Sequence, residues 1–235
     1  MIGTIPFRKL SMRLVLTVLS FLFLLANHLI AADLPKVKEV ENAKPSGASD
    51  EVVKILAPKS FAIDEGGKEV LHFWVRSEVP STASPGGLIE YDSLEEGGLI
   101  GIYEVKKEGF TDFRNQKLPV GIYTIRTAPH PQDGNHMGIA PTPTFGVLIP
   151  VADDKSPEPM EREKMLEASK KSVNTGHPGA LYLEPFFEKP AGKLPAIREN
   201  DLKHIVLDVM TKAKLATESV DLPIAFVFIG KTEAE

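Results

Sequence analysis

From residue 51 onward the chain breaks into short runs rich in Val, Ile, Phe and Tyr, each closed off by Gly, Pro or Asp. Runs of that length and composition form strands, and their regular punctuation confines the chain to a mainly β architecture. The runs are EVVKILA (51–57), KEVLHFWVRSEV (68–79), LIGIYEVK (99–106), GIYTIRTA (121–128), FGVLIPV (145–151), ALYLEPFF (180–187) and DLPIAFVFIG (221–230). In the second, Val70, His72 and Trp74 share one face while Leu71, Phe73 and Val75 share the other, so a strand there is covered on both sides. LKHIVLDVMTKA (202–213) fits a helical stripe through Leu202, Ile205, Val206, Val209, Met210 and Ala213, and also a strand through Ile205, Leu207 and Val209. Its β-branched content favours the strand. One segment breaks the rhythm: SPEPMEREKMLEASKKSV (156–173) opens on Ser-Pro, with acidic residues first and lysines last, and predicts a surface helix over about 158–172. About eight strands and one helix predict an antiparallel β-sandwich over 51–230, immunoglobulin-like or transthyretin-like, with a jelly roll as the next choice.

The amino terminus is different in kind. Arg8, Lys9 and Arg13 precede an apolar run from Leu14 to Ala26, and Ala31 and Ala32 follow. This is the layout of a signal peptide over 1–32, cleaved near Ala31 or Ala32; an uncleaved anchor is the alternative, but the run is shorter than the roughly 20 residues a spanning helix needs. DLPKVKEVENAKPSGASD (33–50) is polar, without a hydrophobic period, and reads as a flexible leader; 231–235 reads as a tail. The chain has no cysteine, which excludes disulfides, thiol catalysis and lipid attachment at a processed cysteine. Without residues 1–32 it carries 24 basic and 32 acidic side chains, a net charge of −8, so nucleic acid and anionic lipid are not expected partners. The expected location is periplasmic or extracellular, with no membrane span in the mature chain.

Familiar catalytic patterns are missing from the sequence: no H-E-x-x-H, G-x-S-x-G, phosphate-binding G-x-x-x-x-G-K, EF-hand loop or dinucleotide fingerprint occurs. The adjacent carboxylates Asp153–Asp154 and Glu95–Glu96 read as solvated loop residues rather than acid–base pairs. What remains is TAPHPQDGNHMGIAPTPTF (127–145), which sets His130, Asp133 and His136 around an Asp-Gly turn. Two imidazoles and a carboxylate suit zinc or another divalent cation. Pro129, Pro131 and Gly134 exclude a regular helix, so a loop must fold back to bring the three together; the same turn residues serve any strand connection. Gln132, Asp133, Asn135 and His136 are the candidate ligand-binding side chains. His72 and His177, taken singly, read as packed or solvent-facing.

At LPVGIYTIRT (118–127), Leu-Pro-x-Gly-x-Tyr leads into a strand; Pro119 presets its torsion, Gly121 tolerates a turn, and Ile122, Thr124 and Arg126 alternate with Tyr123, Ile125 and Thr127. Together with Pro-Gln-Asp-Gly-Asn-His (131–136) and FGVLIPV, the stretch from about Leu99 to Val151 resembles a family of secreted bacterial β-sandwich proteins without an established function. The resemblance implies a fold and export, with the tyrosine packing at a sheet edge, and no activity. The expected function is therefore a secreted or periplasmic, non-enzymatic module that binds an envelope protein or glycan through the 127–145 loop. Alternatives are a metal-dependent enzyme, such as a hydrolase, using His130, Asp133 and His136, and a purely structural envelope protein. The single Trp lies in a predicted core strand, which weighs against a stacking platform for sugars.

Overall fold

The computed structural model describes residues 33–85, 91–130, 144–186 and 192–232. Residues from Leu34 onward make one compact unit. In chain order its elements are β1 (Lys36–Glu41), α1 (Asp50–Ile55), β2 (Leu56–Glu65), β3 (Lys68–Arg76), β4 (Val79–Pro80), β5 (Leu99–Val105), β6 (Gly121–Pro129), β7 (Thr144–Pro150), α2 (Arg162–Val173), β8 (Gly179–Glu184), β9 (Ala196–Glu199), β10 (Ile205–Lys214) and β11 (Ser219–Ile229). The strands form one sheet in the order β1-β2-β3-β5-β6-β7-β8-β11-β10-β4, with β9 also on β10. Every pairing is antiparallel except the two-residue contact of β4 with β10.

The sheet is nearly closed. β4 follows β3 after two residues yet pairs with β10, and the Thr211 hydroxyl of β10 donates to the Arg76 and Ser77 carbonyls at the end of β3. One face of the strands supplies a single core, including Leu71, Phe73, Tyr123, Ile125, Leu148, Phe226 and Phe228. The outer face of a sheet must be wetted or covered, and here the two helices each cover an apolar patch. Val52 of α1 packs on Trp74, Leu99 and Ile102; Met165 of α2 packs on Ala128, Val147 and Ile149. Between these two patches runs the outer row of β6, Thr124 and Arg126, which is buried but polar.

Several expectations hold in the structure. LKHIVLDVMTKA supplies β10, a strand, and β3 is covered on both faces. Others need correction. Residues 33–50, expected as a flexible leader, contribute β1, which pairs along its whole length with β2, and the EVVKILA run up to Ile55 belongs to the helix α1 rather than to a strand. The Ser49 side chain accepts from the Val52 N–H, with Asp50 and Glu51 in the first turn, so capping overrides the β-branched pair. The structure thus has two helices among the described residues, not one. The second begins at Arg162, four residues later than expected, because Glu161 accepts from the Glu163 and Lys164 N–H groups and Pro157 and Pro159 stay outside the helix. The β2–β3 turn uses Gly66 and Gly67, both at positive φ, as a two-residue hairpin requires. No helix among the described residues is long and apolar enough to cross a membrane.

Candidate functional site

The 127–145 connection joins neighbouring antiparallel strands. β6 and β7 pair in unbroken register from Tyr123↔Pro150 to Pro129↔Thr144, so the two ends of the connection are held side by side. Gln132, Asp133, Asn135 and His136 lie outside the described residues, so of the proposed metal set only His130 has a described position. Its ring meets Phe145 edge-on, with centroids 5.9 Å apart. Beside it Arg162 of α2 donates to the Pro129 carbonyl at 3.4 Å and pairs with Glu96 at 2.5 Å. Among the described residues no group of three His, Asp or Glu side chains is placed to hold a metal ion.

Beneath this base lies a fully buried polar construction. Arg126 and Asp154 are both completely buried and joined as a fork, Nε to Oδ2 at 2.7 Å and Nη2 to Oδ1 at 2.7 Å. The other guanidinium protons reach the carbonyls of Gly97 (2.6 Å), Glu158 (2.8 Å) and Ser156 (2.6 Å), so all five N–H donors are used. Thr124 adds its hydroxyl to Asp154 Oδ2 at 2.5 Å. Gly97 permits this geometry: it sits at φ +73°, and a Cβ there would fall 2.0 Å from the Met160 carbonyl oxygen. The expectation that Asp153 and Asp154 are both solvated is thus wrong for Asp154. Its partner lies 28 residues away, and the adjacent-carboxylate pattern carries no trace of it. The arrangement fastens the 151–160 segment to the sheet and is sealed from solvent.

A second arginine network joins β8, β9 and β10. Arg198 forks onto Asp208 at 2.8 and 3.2 Å and reaches Glu184 at 2.8 Å, while Asn200 donates to the other Glu184 oxygen. Burial raises the Asp208 carboxyl above its ordinary value despite Arg198, whose own loss from burial is more than recovered through its bonds to Asp208 and Glu184. Nearby, the buried Tyr91 hydroxyl accepts from Ala225 N–H and donates to Glu184 C=O, replacing a ladder bond where β8 and β11 part.

Sequence reasoning leaves His72 as packed or solvent-facing; it is buried, in company the sequence does not show. Its Nδ1 lies 2.6 Å from Glu69 Oε1 and its Nε2 lies 2.8 Å from Ser60 Oγ. The order carboxylate, imidazole, hydroxyl is that of a nucleophile relay. Here, however, Ser60 donates to Val40 C=O at 3.1 Å, is 1% exposed, and lies under β1, while the His72 ring stacks on Trp74 at 4.0 Å. The three residues brace β1 to β2 and β3. Burial pushes the Glu69 carboxyl up, but its bonds from His72 and Lys106 outweigh that and leave it below its ordinary value. Only the His72–Glu69 spacing of three was available to sequence reading, because Ser60 joins through strand register. His177 is exposed in the turn after α2.

Leu-Pro-x-Gly-x-Tyr is used as a local lock. Leu118 enters the main core, and the Tyr123 hydroxyl donates back to the Pro119 carbonyl at 2.7 Å. Tyr123 is buried in the core on β6, an interior strand of the sheet, rather than at an edge. Compared with protein-family models, curated proteins and solved structures, the chain finds no match.

Proposed function

We propose that the protein is an exported, non-enzymatic binding module that engages an envelope component, a protein or a glycan, through the 127–145 connection. One observation carries the reading: the ends of that connection, Pro129 and Thr144, face each other as the last pair of a β6–β7 ladder whose inner residues are mostly buried on both faces. A segment inserted at such a place is displayed from a rigid base without disturbing the core. The Arg126–Asp154 network and α2 stiffen that base from the outer face. In finer architecture the proposal takes the unbroken ladder from β1 to β10 as favouring a barrel over the immunoglobulin-like or transthyretin-like sandwich expected from sequence, since a sandwich divides its ladder into two sheets.

The test is to replace residues 131–143 by Asn-Gly, which leaves a three-residue hairpin loop, His130-Asn-Gly, between the paired Pro129 and Thr144, and to compare both proteins for cosedimentation with purified cell-wall glycan and for capture of isolated envelope proteins. The shortened protein is expected to keep its thermal midpoint and lose binding. Equal binding by both, or by neither, rejects the reading. Metal analysis of the untagged protein separates the alternative: stoichiometric zinc, lost in a His130→Ala, His136→Ala double variant, would replace the binding module with a metal-dependent enzyme.

A further inference from the structure

The opposite end of β6 opens on a different feature. β6 has nine residues, so the 127–145 connection and the β5–β6 connection stand about 27 Å apart along the strand. Beside the latter is a cleft of about 330 Å³, within the lower range of small-ligand sites, at the end of a nearly closed sheet where such sites are common. Its floor is apolar: Phe228 belongs to the main core, Phe110 packs against it, and Ile229 stays 40% exposed. Its lip is charged, with Glu65, Lys107 and Glu108.

The walls are already fixed. Asp112, next to the lining residue Thr111, accepts from the N–H groups of Arg114, Gln116 and Ala180, and Thr232 N–H bonds the Phe113 carbonyl where the chain leaves β11. Gly109 contributes bare backbone: it sits at φ +100°, and a Cβ there would meet nothing within 4 Å. A ligand entering the cleft would therefore displace water from apolar surface without first paying to order a loop.

Charge selects the ligand. The lip carries two carboxylates and one ammonium, and Lys107 is already joined to Glu65 at 2.5 Å. Among the described residues Glu108 pairs with Lys117 alone, at 3.6 Å, and both side chains are at least 66% exposed, so its carboxylate is open to another cation. An anion would face Glu108 and compete with Glu65 for Lys107. A cation would gain Glu108. We propose that this cleft binds a small cationic amphiphile, an amine borne on an aromatic ring or short alkyl chain that rests on Phe110, Phe228 and Ile229.

Titration of the isotope-labelled full chain with phenethylamine, followed by amide resonances, tests the assignment, with 3-phenylpropionate as the anion of similar shape. The expected result is saturable shifts centred on Gly109, Thr111 and Gly230 for the amine, and affinity for the anion at least about fivefold lower. Glu108→Lys, at an exposed position, should weaken amine binding about tenfold and narrow or reverse the preference. Ile229→Thr should weaken binding of the amine without changing the preference. Absence of saturable shifts at millimolar amine, equal affinity for the anion, or an unchanged Glu108→Lys protein would each overturn the proposal. The Asn-Gly replacement of 131–143 should leave this binding intact, so the cleft and the envelope-binding reading stand or fall separately.

Discussion

Arg126 and Arg198 make the same two-pronged bond to an aspartate, yet one is sealed and the other is not. Arg126 and Asp154 have no exposed side-chain surface, whereas Arg198 keeps 34% of its side chain in solvent and shares itself between Asp208 and Glu184. In the sealed site the guanidinium charge depends on a single carboxylate and three carbonyls. In the open site a second carboxylate and water stand ready if the first is lost. The difference shows that the strength of an ion pair lies in what remains when one partner goes.

The same substitution at both sites should separate them most clearly. Asp154→Asn leaves the Arg126 charge buried without a carboxylate and should lower stability by roughly 3–5 kcal/mol, read from denaturant unfolding. An Arg126→Met, Asp154→Leu double variant should recover much of that loss; if it is as unstable as the single variant, the pair itself, rather than the orphaned charge, holds the segment. Gly97→Ala attacks the sealed site through its backbone and should cost on the order of 2–4 kcal/mol, since both positive φ and the Met160 carbonyl oppose a side chain. Near the open site, Tyr91→Phe removes the hydroxyl joining Ala225 N–H to Glu184 C=O and should cost about 1–3 kcal/mol.

Asp208→Asn should change stability by less than about 1 kcal/mol at neutral pH, because Glu184 still holds Arg198. Its signature is instead in the pH profile. Burial raises the native Asp208 carboxyl above its ordinary 3.8, so the native protein takes up that proton at higher pH than the unfolded chain. The Asp208 contribution therefore falls as pH rises from 3.8 through the native value and is flat above it. Subtracting the Asn variant's unfolding curve from that of the parent should isolate that descending step; a rising step would contradict the burial argument. Glu96→Gln, which loosens the exposed Arg162 pair beside the 127–145 connection, should have the smallest effect, within about 0.5 kcal/mol and diminished further by salt.

Local chemistry explains which parts of this architecture were legible. β3, β5, β6, β7, β8 and β11 announce themselves because a doubly or singly covered strand needs apolar residues in short runs, and β10 follows its alternation rather than its helical stripe. β1 does not: KVKEVE has only Val37 and Val40 to bury, and it becomes a strand because β2 offers a complete row of backbone partners. For α1 the deciding signal was present in Ser49, Asp50 and Glu51, but a six-residue helix is too short for periodicity to outweigh Val52 and Val53. For the 127–145 connection the sequence offers turn residues at Asp133-Gly134-Asn135, which lie outside the described residues, and the pairing of its base emerges only from the β6–β7 register.

Sequence alone determined the strand rhythm, the Pro and Gly turns, the position of the long helix and a cysteine-free body held by its core. These depend on residues within one turn or one strand of each other, whose interactions are set by spacing along the chain. Tertiary structure decided the near-closure of the sheet, the burial of Asp154 under Arg126, the joining of Glu69, His72 and Ser60, and the cleft between the β5–β6 connection and the end of β11. Each brings together groups from different strands or segments. A buried charge or an open cleft is defined by which distant backbone and side chains exclude water around it, and the order of residues along one strand does not contain that information.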